Sequence, residues 1–287
     1  MTGGKRLLNL KGKPCEATPE VNRSFSARTP RGWFAGLIFP TLLLSLSGCA
    51  TLFGTYNPAT ERKEFVIIST DMEVSMGQNM HQQISQEFGL SKDPLKMARL
   101  QRVGKKLAAI SDRQDYEYNF YLIDKKELNA FTIPGGSIYF FTGLFDKLKN
   151  DDEIAAVLAH EIGHCSAKHT VKKYQAAMGY NLIQALVLSQ LGDTSRQLSA
   201  QASDMAMQLI FSAYSRGDEF QADLLGLKYM YLAGYNLNGM IGTLTVLKDE
   251  SEGPAVPLML RSHPYLEDRI KAVEKEIKKT PQKYTKR

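Results

Sequence analysis

His160-Glu161-Ile162-Gly163-His164 sets two imidazoles four residues apart, with a carboxylate beside the first. On a helix, positions i and i+4 share one face, with Cβ atoms about 6 Å apart. That separation suits two imidazoles on one tetrahedral zinc ion, at zinc–nitrogen distances of about 2.0–2.1 Å. Glu161 lies one residue on, about 100° around the helix. From there it approaches a metal-bound water from the side without being a ligand. Zinc lowers the pKa of such a water toward ~7, and a nearby carboxylate takes its proton. The chemistry implied is hydrolysis by an activated water. Val157, Leu158 and Ile162 make the run apolar, so the histidines are expected to be partly buried and to need a partner.

A third ligand must come from elsewhere. His169 lies five residues past His164, about 140° off the ligand face of a continuous helix, and is expected to hydrogen-bond within the fold. Glu219 is better placed, near the start of a later helical run, Ser215-Arg216-Gly217-Asp218-Glu219-Phe220-Gln221-Ala222-Asp223. Asp223 is at i+4 from it, so the two carboxylates share a face. One would bind zinc while the other accepts a hydrogen bond from a ligand histidine's free nitrogen, orienting the ring. The expected set is His160, His164 and Glu219 on one zinc ion per chain, with Asp223 behind them.

The surrounding pattern supplies elements to hold such a site. Helices are expected from Asp71 to Phe88, from Asp93-Pro94 to about Ile110, from Glu153 to about Gln175 behind Asn150-Asp151-Asp152, from about Gly217 to Ala233, and after Pro264. Residues 176–210 are expected to be helical, with a break near Gly192-Asp193. Between the helical runs, Tyr116, Tyr118, Phe120 and Leu122 alternate as in a strand. Ala130 to Ile133 and Ser137 to Thr142 read as two more strands around the turn Pro134-Gly135-Gly136. Helices, a small sheet, then more helices make an α+β class.

The net charge of +6 is unevenly distributed. Residues 1–48 carry seven basic and two acidic side chains, leaving 29 basic and 28 acidic in the rest. The basicity belongs to the leader, so no nucleic-acid partner is expected. Arg28 and Arg31 precede the apolar stretch Trp33 to Leu46, and Leu46-Ser47-Gly48-Cys49 follows. This is the grammar of a secretory signal. Leu-Ser-Gly-Cys resembles a bacterial lipobox, which implies cleavage before Cys49 and a lipid on its thiol. Ala50, rather than Asp, follows the cysteine, resembling the pattern sorted to an outer membrane. The expected organisation is a lipoprotein signal peptide over 1–48, a tether over 49–65 and a catalytic domain over 66–287. The long stretch before Arg28 is consistent with a true start at Val21. Cys165, after Cys15 in the leader and Cys49, has no partner for an intramolecular disulfide and is expected to be a small buried residue.

Four pieces in order resemble the zinc metallopeptidase family of the CAAX prenyl proteases, HtpX, BepA and LoiP. They are Asn129-Ala130-Phe131 with Pro134-Gly135-Gly136; the HEIGH run; Ser215-Arg216 with Glu219 and Asp223; and Ser262-His263-Pro264 with Arg269-Ile270. The resemblance implies a mostly helical zincin fold (gluzincin-like), zinc on His160, His164 and Glu219, and Glu161 as catalytic base. It implies that the strand after the turn (Gly136, Ser137, Ile138, Tyr139) is the edge strand to which an extended peptide adds. It also implies that His263 stands near the zinc, either in the metal's fourth position at rest or as a stabiliser of the oxyanion, with Arg269 supporting it.

The expected protein is therefore a lipid-anchored endopeptidase facing the extracytoplasmic space, on the periplasmic face of the outer membrane where the organism has two membranes. Its expected partners are unfolded or extended polypeptides, including misfolded envelope proteins, and the membrane through Cys49; envelope-assembly partners are left open. The alternative is a zinc-containing periplasmic chaperone or binding lipoprotein that cuts little. Bound zinc with no cleavage of unfolded substrates, even in His263→Ala, would favour that alternative.

Overall fold

The structure, a computed structural model, describes residues 54–190, 208–253 and 257–284. The expected leader, the lipobox cysteine Cys49, the alternative start at Val21 and the expected break near Gly192 lie outside these residues.

A hairpin of β1 (Thr55–Asn57) and β2 (Arg62–Glu64) comes first. It is more than a tether: the buried Asn57 donates Nδ2 to Ser166 O at 3.1 Å, and Lys172 donates to Glu64. Residues 54–64, within the span expected as a tether, thus dock on the body.

Two helices follow, α1 (Thr70–Phe88) and α2 (Pro94–Ala108). Ser69 caps α1 by accepting from Met72 N–H. Asp93 caps α2 by accepting from the amides of Leu95 and Lys96, with Pro94 in the first turn. Glu73 of α1 is buried against Arg113 and also accepts from Gly135 N–H at 3.2 Å. Arg113 Nη1 reaches Cys165 O at 3.4 Å. This buried cluster ties α1 and the Pro-Gly-Gly turn to the end of the histidine helix.

The sheet has β3 (Asn119–Ile123), β4 (Ala130–Thr132) and β5 (Ser137–Phe141) in the order β3-β5-β4. β3 runs parallel to β5, and β4 antiparallel. Period-2 alternation puts Phe120, Leu122, Ile138 and Phe140 in one core, and Phe131, Tyr139 and Phe141 in another on the opposite face. The order overturns one expectation. Ser137, Ile138 and Tyr139 lie in the central strand, with partners on both sides, and Gly136 belongs to the turn before it. The turn, where Gly135 and Gly136 both have φ +80°, folds β4 back onto one edge of β5. The long-range parallel pairing with β3 closes the other edge. Among the described residues the edges are β3 and β4.

After α3 (Thr142–Lys147) comes α4 (Asp151–Ser166). Asn150 Oδ1 accepts from Glu153 N–H, and Asp151, Asp152 and Glu153 fill the first turn, where carboxylates face the positive end of the helix dipole. Every residue from Glu153 to Ser166 is buried, which is why the helix shows no polar stripe. Asn150→Ala is expected to lower unfolding free energy by about 1 kcal/mol, measured by urea denaturation; an unchanged midpoint would show that the cap carries no stability.

The expected single helix over 153–175 is two. α4 ends at Ser166, Lys168 adopts φ +58°, and α5 (His169–Gln190) starts in a new direction. The rest is α6 (Arg216–Leu232), α7 (Asn238–Ser251), α8 (Leu258–Ser262), α9 (Leu266–Ile277) and α10 (Thr280–Tyr284). α7 fills a span to which the sequence pattern assigns no element. α4 and α6 pack most extensively. At their crossing, a Cβ on Gly163 would lie 2.8 Å from Ala222 O, and one on Gly226 would lie 3.2 Å from His160 N. Glycine at both points lets the backbones close up.

Candidate metal centre

That close crossing brings α6 carboxylates to α4 imidazoles. His160, His164, Glu219 and His263 each offer one ligand atom, all within 4.8 Å of one another. Each of the four residues is no more than 1% exposed. α4 supplies two on adjacent turns. α6 supplies Glu219 from its first turn, held by a capping box in which Ser215 and Asp218 bond reciprocally. His263 comes from the link between α8 and α9.

Hydrogen bonding assigns the tautomers. A carboxylate only accepts, so the 2.8 Å contact of His160 Nδ1 with Asp223 Oδ1 places the proton on Nδ1 and a lone pair on Nε2. His169 Nε2 lies 3.0 Å from Gln221 Oε1 and donates to it. His169 Nδ1 then accepts from His164 Nδ1 at 3.0 Å, which leaves a lone pair on His164 Nε2. The two Nε2 atoms are 3.1 Å apart. Lone pairs this close repel unless a cation lies between them.

The remaining spacings agree. His160 Nε2 is 3.2 Å from His263 Nδ1, and His263 Nδ1 is 3.0 Å from Glu219 Oε1. Glu219 Oε1 is 3.4 Å from His164 Nε2, and Oε2 is 3.6 Å from His160 Nε2. A tetrahedron with centre-to-vertex distances of about 2.0–2.1 Å has edges of about 3.3 Å. The free Nε2 lone pairs of His160 and His164 and the Glu219 carboxylate therefore fit three corners of one tetrahedral divalent cation, with His263 Nδ1 near the fourth.

The surroundings set the charges. Arg269 is buried and bidentate on Asp223 (2.8 and 2.7 Å), with Nη1 2.7 Å from Glu219 Oε2. It was expected to support His263; the fold turns it to the two carboxylates instead. Burial opposes the charge on Glu219, but His263 and Arg269 outweigh it and hold its pKa well below the ordinary value. For Asp223, burial is likewise outweighed by Arg269, and the carboxyl stays ionised. Burial depresses His164, favouring the neutral imidazole that ligation requires. Glu161 differs. Its carboxylate accepts no hydrogen bond, its nearest partner is His263 Nε2 at 3.5 Å, and burial raises its pKa. A carboxylate left free beside a metal site and made more basic is suited to accept a proton.

The fold thus brings His160, Glu161, His164, Glu219, Asp223 and His263 into one cluster. The run Gly136 to Tyr139 is outside it. His169 is no ligand atom of the cluster but stands behind His164, a position the helix break at Lys168 allows. Sequence reasoning had no signal for Gln221 or for Tyr214, whose ring packs against that of His164, tilted by 31°, with centroids 4.0 Å apart.

Among curated proteins, the chain is 32% identical to the mitochondrial metalloendopeptidase OMA1 of Schizosaccharomyces pombe, over 76% of this chain and 65% of that protein. It is 26% identical to the beta-barrel assembly-enhancing protease of Yersinia pestis, over 71% of this chain and 43% of that one. It is also 26% identical to metalloprotease YcaL of Escherichia coli K12, over 62% and 69%. The chain thus spans about two thirds of the first of these proteins and under half of the second. With a HExxH helix, a small sheet and a mostly helical α+β fold of the zincin kind, and with residues 94–277 matching Peptidase family M48, the chain belongs to that family.

Proposed function

We propose that this chain is a zinc-dependent endopeptidase that hydrolyses extended or unfolded polypeptides. The observation that carries the reading is the cage of three imidazole nitrogens and a carboxylate at near-tetrahedral spacing, with Glu161, which accepts no hydrogen bond, beside it. His160, His164 and Glu219 would hold the ion. When bound, zinc would polarise the scissile carbonyl and acidify the attacking water. Glu161 takes the proton from that water and passes it to the leaving amine. His263 Nδ1 stands at the fourth corner of the cage, 3.0 Å from Glu219 Oε1. As a neutral imidazole it would be a resting ligand; with a proton on Nδ1, which a carboxylate contact favours, it would be a donor to the oxyanion. A polypeptide then enters only when the loop between α8 and α9 moves.

Of the two edges, β4 rather than β3 is the one assigned to peptide addition, and its buried residues would have to be uncovered first. β4 is tied to the histidine helix by the 2.9 Å contact of Thr132 Oγ1 with Cys165 Sγ, so a strand added there would run beside the metal site. Backbone pairing of that kind demands little of the substrate's sequence, in keeping with unfolded polypeptides.

The resemblance of Leu46-Ser47-Gly48-Cys49 to a lipobox supports a location outside the cytoplasm, with lipid on Cys49 as the membrane anchor. No helix among the described residues is long and apolar enough to cross a membrane. The names of the Yersinia, Vibrio and Escherichia relatives, beta-barrel assembly-enhancing proteases, support envelope polypeptides as the substrate class.

Metal removal tests the reading. Protein stripped by a chelator and dialysed is expected to lose cleavage of casein, and one equivalent of zinc is expected to restore it. Undiminished cleavage by protein shown to be metal-free would refute the proposal.

A further inference from the structure

His160 and His164 are held in different ways. His160 donates to a carboxylate, whereas His164 has only the neutral imidazole of His169 behind it. A neutral partner holds a ring less firmly than a charged one. His164 has a second support, on its face. The Tyr214 ring lies 4.0 Å from it, centroid to centroid, at an interplanar angle of 31°. Lys173 Nζ stands over the same Tyr214 ring, 3.9 Å from its centroid. Two groups this close to one centroid do not fit on one face, so Tyr214 lies between an ammonium and an imidazole. Burial lowers the Lys173 ammonium to about 8, which leaves it charged at neutral pH and attracted to the ring. The clamp is anchored at both ends. Lys173 Nζ donates to Ser212 O at 2.6 Å. Tyr214 N–H donates to Ser262 O at 2.9 Å, one residue before His263, and the Tyr214 and His263 rings are 5.3 Å apart.

Resting on the metal-site reading above, we propose that Tyr214, clamped by Lys173 of α5, is a positioning residue that holds the His164 imidazole in its ligating orientation and fixes the His263 loop beside it. The ring binds no ion. It limits rotation of the His164 side chain from its face, where the hydrogen bond to His169 holds it at the ring edge. Its backbone ties the segment before α6 to the loop that carries the fourth donor. The ring, rather than the phenol hydroxyl, is the working part.

The test is apparent zinc affinity of the full chain, measured by competition with a chromogenic chelator at a temperature where circular dichroism shows each variant folded. Tyr214→Leu is expected to weaken binding about 10–100-fold, the range for losing a group that orients a ligand, and Tyr214→Phe by less than about threefold. Lys173→Met is expected to weaken binding in the same direction, and Lys173→Arg, which restores a cation over the ring, to return it toward wild type. Because Lys173 contacts no ligand, this second pair decides the matter even where Tyr214→Leu does not fold. Wild-type affinity in both Tyr214→Leu and Lys173→Met would overturn the inference, as would equal losses in Tyr214→Phe and Tyr214→Leu. A wild-type protein that takes up no zinc would instead overturn the metal reading, and this inference with it.

Discussion

Glu161→Gln is expected to lower peptide-bond hydrolysis by about 10²–10⁴-fold, the usual contribution of a positioned general base, while zinc content stays near one per chain. The substitution is nearly isosteric, and the Glu161 carboxylate accepts no hydrogen bond that the amide would lose. The four donors of the cage are untouched, since Glu161 is not among them. An amide oxygen cannot take a proton at neutral pH, so loss of rate with retained metal isolates the base from the ligands. Casein hydrolysis and metal analysis on the same preparations make the measurement. Equal activity in the two proteins would remove Glu161 from the mechanism. Activity lost together with zinc would assign it to the metal's binding instead.

Arg269→Leu is expected to cost about 3–5 kcal/mol of unfolding free energy in the metal-free protein. The side chain is 1% exposed and faces two buried carboxylates, Asp223 and Glu219. Its removal leaves both without a compensating guanidinium. Since whole domains are stable by about 5–15 kcal/mol, a loss of this size takes a large part of the total. Lysine is not expected to rescue it, because one ammonium cannot reproduce the fork that spans both Asp223 oxygens and Glu219. Saturating zinc is expected to shrink the loss, because a bound dication offsets the same carboxylates and favours the folded state. Urea denaturation with and without zinc provides the measurement. A loss under about 1 kcal/mol without metal would show that the two carboxylates find other compensation.

Much of the site is visible along the chain because its rules are local. His160 and His164 share a face by helical spacing alone, as do Glu219 and Asp223. Asn150 and Asp93-Pro94 announce the helices they cap. The misreadings are all nonlocal. β5 resembles an edge strand when only its turn with β4 is considered; the parallel partner β3, joined through a long connection, makes it central. Helical periodicity runs through Ala167-Lys168-His169 without interruption, yet Lys168 turns the chain there. That turn places His169 behind His164, where a continuous helix would have swung it away. Arg269 carries no local mark of its partners, which lie 46 positions away at Asp223 and farther still along the chain at Glu219.

The amino-acid sequence by itself determined the chemistry available: two imidazoles, a base beside them, and a carboxylate pair at matching helical phase. Backbone spacing within one helix sets those relations before any packing occurs. Only the tertiary structure decided that these pieces make one closed cage. Gly163 and Gly226 let α4 and α6 approach closely enough to bring Glu219 to the imidazoles. His263, 44 positions from Glu219, arrives on a different loop to supply the fourth corner. Contacts of that separation depend on how buried surfaces pack, and helical or strand periodicity carries no record of them.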